Sequence, residues 1–293
     1  GYFIEKGELV DISGQADTEL GANGEVGFKA GAQSFWSAIP DGNLPTAGGF
    51  VSTLAPAARK IYTITDPAQT SNVNLADGTH ALKANNTNIT KAHLGLPTSA
   101  TAQQRADVID WLRGERLGDP LHARPVLVDY GTATGQIVYF MTNQGYIHAV
   151  DATQPVEPDG STAGGEELFA FMPQQLLANA AAQASDGVGQ RIYGLDGQIT
   201  VLKLDANRDG VIEGSDRVIL VFNMRRGGGS YFALDVTLPR SPRLLWQINS
   251  GDAGFEALGQ SWSKATVARL KDNGADRLAL VFAGGHGWTG RVG

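Results

Sequence analysis

The chain has 293 residues, 42% hydrophobic and 18% charged, with 38 glycines and no cysteine. The length suffices for a substantial core in one large or two small domains, and few charges with many glycines suit a turn-rich β protein better than a helical one. Lack of cysteine excludes disulfides, thiolate metal sites and cysteine nucleophiles, and a formal charge of −7 speaks against a nucleic-acid partner.

Residues 1–118 read as a lead-in segment, rich in Gly, Asn, Thr and Pro over its first hundred positions. Short strands are predicted at 49–54 and at 60–65, where Lys-Ile-Tyr-Thr-Ile-Thr alternates cleanly. A helix is predicted over about 101–116, with Val108, Ile109, Trp111 and Leu112 as its apolar stripe and Gly114 and Gly118 as its exit.

From residue 119 to 293 the character changes. Strands are predicted at 125–129, 136–142, 146–151, 167–171, 199–205, 217–223, 230–236, 243–248, 265–270 and 277–283, nearly all separated by turn clusters. A loose repeat runs through them. Val138-Tyr139-Phe140 leads by a turn to Tyr146–Asp151, as 219–222 leads by Arg225–Gly229 to Tyr231–Asp235. Each copy continues into a third strand, and a further copy starts at Leu278. Radial repetition of four-stranded antiparallel units makes a β-propeller. The expectation is therefore an all-β, partial propeller with quinoprotein-like blades, and a short helix from Met172 to Leu177 between blades. Trp246, Trp262 and Trp288 read as blade-core aromatics.

Residues 205–216, Asp-Ala-Asn-Arg-Asp-Gly-Val-Ile-Glu-Gly-Ser-Asp, carry an EF-hand-like pattern. Oxygen ligands fall at positions 1, 3, 5, 9 and 12: Asp205, Asn207, Asp209, Glu213 and Asp216. Val211 at position 7 can offer its backbone carbonyl. Calcium takes six to eight oxygens, and a chain supplies them by wrapping the ion, with a glycine (here Gly210) at the sharp bend. Ile212 at position 8 should face apolar packing. Asp216 stands where a longer, bidentate Glu is usual, so the loop should close more tightly or be completed by water. The competing reading is an acidic surface turn with no metal.

His122 and His148 lie in strand patterns and read as packing or hydrogen-bonding residues. His80, His93 and His286 lack paired zinc spacing. Arg225-Arg226-Gly227-Gly228-Gly229 reads as an inter-strand turn before an anion-binding nest. No Ser-His-Asp order or carboxylate pair stands out, so no enzyme is expected.

Gly118-Asp119-Pro120-Leu121-His122-Ala123-Arg124-Pro125 resembles the first propeller strand of the PilY1/PilC family, the type IV pilus tip-associated adhesins. Asn143-Gln144-Gly145-Tyr146 through Asp151, Glu167-Leu168-Phe169-Ala170-Phe171-Met172-Pro173, Arg225 through Thr237, and Leu258-Gly259-Gln260-Ser261-Trp262-Ser263 resemble it in the same order. The resemblance implies a propeller with one inserted calcium loop, ligated by Asp or Asn at positions 1, 3 and 5, a carbonyl at 7 and an acid at 9. Glu213 stands where Asp is commoner. It further implies Ca2+ occupancy as a switch for pilus extension and twitching motility. Implied partners are minor pilins at the pilus tip and a host or abiotic surface. Implied location is extracellular at the pilus tip or outer-membrane associated, after export through the periplasm. Many members carry a von Willebrand A-type domain, but its metal-site motif and an Arg-Gly-Asp tripeptide are absent, so integrin-type binding is not implied. Opening on Gly1-Tyr2-Phe3 without an apolar signal region, and ending just after a strand-like run, the chain reads as part of a longer exported protein. No apolar run is long enough to span a bilayer.

Two alternatives differ in class. A quinoprotein (PQQ-dependent) dehydrogenase would share the Ala233-x-Asp235-x-Thr237 echo but use a quinone cofactor. A dockerin-like scaffold module would follow its calcium loop with a helix, whereas 217–222 is β-branched and apolar.

Overall fold

The computed structural model describes residues 3–5, 8–10, 18–20, 26–33, 36–37, 40–42, 49–114, 118–131, 134–153, 164–185 and 192–285. It is mostly sheet with few helices. Two short hairpins come first: β1 (Phe3–Glu5) with β2 (Glu8–Val10), and β3 (Thr18–Leu20) with β4 (Val26–Phe28). Neither shows as periodicity, since three-residue strands hold too little alternation to register.

The expected strand at 49–54 is instead a helical turn, α1 (Gly49–Ser52). Phe50, on this turn, and Leu54, two residues beyond its end, are both buried, at 8% and 6% exposure. Within 60–65 only β5 (Ile61–Tyr62) pairs as strand, and β6 (Ser71–Asn74) follows. The predicted long helix is present as α2 (Ala102–Arg113). Thr101 accepts from Gln104 N while Gln104 Oε1 accepts from Thr101 N, a reciprocal cap. Val108, Ile109 and Leu112 are its buried face.

The next strands are β7 (Val126–Asp129), β8 (Gln136–Met141), β9 (Ile147–Asp151) and β10 (Glu167–Phe171). They form an antiparallel meander, with β5 added parallel to the outer edge of β10. Helices α3 (Gln174–Leu177) and α4 (Ala180–Ser185) lead to a second meander. Its strands are β11 (Ile199–Leu204), β12 (Arg217–Asn223), β13 (Tyr231–Asp235) and β14 (Arg243–Ile248), with β6 antiparallel on β14. Thus the lead-in covers the outer edge of both sheets, where open backbone groups would otherwise invite foreign strands. A hairpin of β15 (Thr266–Asp272) and β16 (Ala275–Val281) ends the described chain.

The two meanders repeat in detail. Ala149 faces Phe169 and Ala233 faces Trp246, and in both sheets the register then slips by one residue, at Leu168 and Leu245. In each, the strand after the central turn ends in Asp whose Oδ1 accepts both N–H and O–H of the Thr two residues on. The pairs are Asp151–Thr153 (2.9 and 2.5 Å) and Asp235–Thr237 (3.0 and 2.6 Å).

β10 and β13 are buried along their whole length, so they read as continuous apolar runs and not as alternation. One core joins both sheets and α2. Phe171 meets Phe232 edge-on at 6.4 Å across the seam, and Phe232 stacks on Phe222 at 5.2 Å. Each such ring contributes about 1.5–3 kcal/mol by burial. β7 and β11, the first strands of the two meanders, touch each other. The Tyr130 hydroxyl, at the end of β7, donates to the Val236 carbonyl at 2.7 Å and lies 2.7 Å from the Tyr139 hydroxyl.

Candidate metal centre

Residues 205–216 form the hairpin loop between β11 and β12, closed by the Leu204–Arg217 pair. The strand that follows, and not a helix, removes the dockerin-like reading. Gly210 takes φ 87°, the left-handed bend that a side chain resists. Asp205 folds back into the turn: its Oδ1 accepts from Arg208 N at 2.6 Å and its Oδ2 from Gly210 N at 2.8 Å. Asn207 Nδ2 donates to Asp209 Oδ2 at 2.8 Å, and Asp209 Oδ1 accepts from Val211 N at 2.8 Å. Asp216 is buried and accepts from Ala206 N at 3.0 Å and Glu213 N at 3.3 Å, so the short position-12 carboxylate closes the loop from both ends. Glu213 is exposed, and Ile212 is buried in the main core as its position required.

The side chains at positions 1, 3 and 5 therefore share one turn. Among the described residues no three His, Cys, Asp or Glu side chains stand close enough to hold an ion by themselves. A cage here must also draw on the Asn207 amide oxygen and the Val211 carbonyl. The donor set is all oxygen, which suits a hard cation. A carboxylate oxygen that accepts one N–H retains a second lone pair for an ion.

Three other clusters bear on function. His148 is buried, stacks on Phe140 at 4.9 Å, and places Nδ1 2.8 Å from Glu167 Oε1. Arg59 grips the same carboxylate at 2.6 and 2.8 Å. Burial alone would raise Glu167, but hydrogen bonds from His148 and Arg59 outweigh it and hold the carboxyl at about 2. Burial lowers His148, against the opposing pull of the Glu167 carboxylate. The histidine is thus a hydrogen-bonding core residue, as its strand position suggested.

His122 is half-exposed and places Nδ1 2.8 Å from Asp196, a wholly buried carboxylate that also accepts from Arg225 at 3.1 Å. Nothing near Asp196 in sequence marks this pairing, because its partners lie on other turns. Arg225 and Arg226 lie in a one-turn 3-10 helix and stack on Trp262 at 4.8 and 5.8 Å. Trp262 is 39% exposed, so it is a surface platform and not the blade-core aromatic expected. The chain turns it outward because Ser261, its neighbour, is the residue that buries, bonding Met224 N and Gly228 O. Trp246 does pack in a core cluster, and Trp288 and His286 lie outside the described residues. An apolar cleft of about 590 Å³ lies between β14 and β16, lined by Trp246, Ile248, Phe255, Leu258, Leu280 and Phe282 among others.

No protein-family model matches the chain. Its sequence is similar to the type IV pilus biogenesis factor PilY1 homolog of Xylella fastidiosa, 30% identical over 222 residues, covering 62% of this chain and 17% of that protein. It is also similar to type IV pilus biogenesis factor PilY1 of Pseudomonas aeruginosa, 27% identical over 286 residues, covering 83% of this chain and 22% of that one. The crystal structure of the Pseudomonas aeruginosa PilY1 C-terminal domain matches 52% of this chain and 26% of its own at 31% identity, with a TM-score of 0.35. The chain thus spans about a fifth of the curated relatives it matches. Over that span it is a sequence relative of the PilY1 pilus biogenesis factors, as the ordered motifs had implied.

Proposed function

We propose, starting from that kinship, that this chain is the calcium-responsive portion of a type IV pilus biogenesis factor, an adhesin-type protein and not an enzyme. The observation that carries the reading is the coincidence of PilY1 kinship with a twelve-residue loop whose Asp205, Asn207 and Asp209 already share one turn. The two like meanders, with their first strands in contact and a further hairpin beyond, support a β-propeller in which each meander is a blade.

In this reading Asp205, Asn207, Asp209, Glu213 and Asp216 hold Ca2+ with the Val211 carbonyl. The ion would offset two of the four negative charges that the carboxylates of this loop carry, and so relieve their mutual repulsion. Binding to the folded form alone stabilises it by about 2.7 kcal/mol at a hundredfold excess over Kd. Occupancy would favour pilus extension and twitching motility, with minor pilins at the tip and a host or abiotic surface as partners, outside the cell or at the outer membrane.

Calorimetric titration tests the site. Wild type should bind one Ca2+ and Asp209→Ala should not, while both keep the same circular dichroism spectrum. Equal affinity in the two proteins would overturn the assignment.

A further inference from the structure

The candidate metal loop belongs to the second sheet by connection, yet it seats on the first. Ile212 N donates to the Tyr130 carbonyl at 2.8 Å. The Lys203 ammonium donates to the Asp129 and Gly210 carbonyls, both at 2.8 Å. Gly131 lies so close beneath the loop, at φ 64°, that a Cβ there would stand 2.6 Å from the Gly210 oxygen. The receiving turn is itself well held. Asp129 accepts from Gly131 N at 2.8 Å and from Gln136 Nε2 at 3.0 Å, and Tyr130 N donates to the Gly135 carbonyl at 3.0 Å.

One peptide unit connects the two sides. The plane joining Gly210 to Val211 is gripped at its N–H by the Asp209 carboxylate and at its C=O by Lys203. A peptide is planar and resists twisting, so its two ends cannot turn independently. Any shift of Asp209 toward an ion must tilt the carbonyl that Lys203 ties to the end of β7.

We infer that the 205–216 loop is a clasp across the seam between the two sheets, and that its ion occupancy is transmitted to the Asp129–Gly131 turn through the Gly210–Val211 peptide and Lys203. This rests on the calcium reading above and deepens it, because it names what the ion would control: how firmly the first sheet is held to the second. The readout lies in the 126–139 segment, which contributes no ligand.

The test is hydrogen–deuterium exchange on the full chain, with and without saturating calcium chloride, alongside calorimetry on the same samples. In wild type, calcium should slow exchange of residues 129–137 by about tenfold, within the usual range for coupled sites. Lys203→Met should still bind calcium, weakened by no more than the same factor because coupling is reciprocal, but should lose the slowing. Gly131→Ala, which pushes on the Gly210 carbonyl, should lose it too and serves if Lys203→Met does not fold. Calcium that binds wild type yet leaves 129–137 unchanged would overturn the clasp while leaving the metal site standing. So would equal slowing in wild type and both variants. Absence of any calcium binding would overturn the metal reading, and the clasp's ion dependence with it.

Discussion

The Tyr130 hydroxyl donates to the Val236 carbonyl at 2.7 Å, so a side chain at the end of one sheet satisfies a backbone oxygen of the other. Tyr130 is 1% exposed and also lies 2.7 Å from the Tyr139 hydroxyl. Tyr130→Phe keeps the ring but strips both oxygens of their partner in a dry seam. It should cost about 1–3 kcal/mol, the penalty for orphaned buried groups. Urea unfolding should show that loss in the midpoint without a changed slope.

Arg59 joins the lead-in to the first sheet. Its fork on Glu167 is buried on both sides, and its remaining nitrogen donates to the Arg113 and Gly114 carbonyls at the end of α2. Arg59→Ala leaves a carboxylate buried without its charge partner and should destabilise by about 3–5 kcal/mol. Replacing both partners, with Arg59→Met and Glu167→Leu, should restore most of that, since an apolar pair leaves no charge to compensate. Denaturant titration of wild type, Arg59→Ala and the double variant decides it; a loss in the double variant as large as that of Arg59→Ala would contradict this account.

The same cluster sets an acid limit. Glu167 sits near 2 against an ordinary 4.5, so the folded state binds its proton less readily than the unfolded one. Its contribution is full above about 4.5 and is lost as pH falls toward about 2. His148 is lowered from 6.5 by burial, so it too favours the folded state above its ordinary range and weakens it in acid. Thermal melting followed from neutral pH downward should fall in wild type, and less steeply in the Arg59→Met, Glu167→Leu protein.

Trp262 and Phe232 offer a contrast in aromatic roles. Trp262 is 39% exposed, with Arg225 over its ring. Trp262→Ala should cost about 0.5–1 kcal/mol, the scale of an exposed cation–π contact. Phe232 is fully buried between Phe222 and Phe171, and Phe232→Ala should cost about 3–5 kcal/mol. Differential scanning calorimetry of both variants measures the gap. Equal losses would mean that Trp262 is packed after all.

Much of the fold from residue 119 on is legible locally, because each meander strand is an apolar run bounded by turn residues. The repeated Ala-x-Asp-x-Thr endings at Asp151 and Asp235 are likewise visible as letters, and the structure gives both the same hydrogen bonds. β6 is different. Ser71-Asn-Val-Asn74 buries only Val73, and is a strand because β14 lends it partners from Arg243 to Trp246. Residues 49–54 read as a strand in sequence because six residues cannot separate a four-residue spacing from alternation. Trp262 reads as a core aromatic in sequence because hydrophobicity does not say which side of a turn faces water.

For the candidate site, the local chain alone determined the donor inventory, the glycine bend at Gly210 and the inward-facing Ile212, since all three depend on spacing within twelve residues. Where the loop rests was decided only by tertiary structure. Tyr130, Asp129 and Gly131 lie some seventy to eighty positions before it in the chain, and only sheet packing brings the Tyr130 and Asp129 carbonyls to Ile212 and Lys203 and sets Gly131 against Gly210. Pairings of that kind, like His122 with Asp196 and Arg59 with Glu167, follow from how whole sheets and segments meet. No local periodicity encodes them, because the energy that selects them is burial shared across the core.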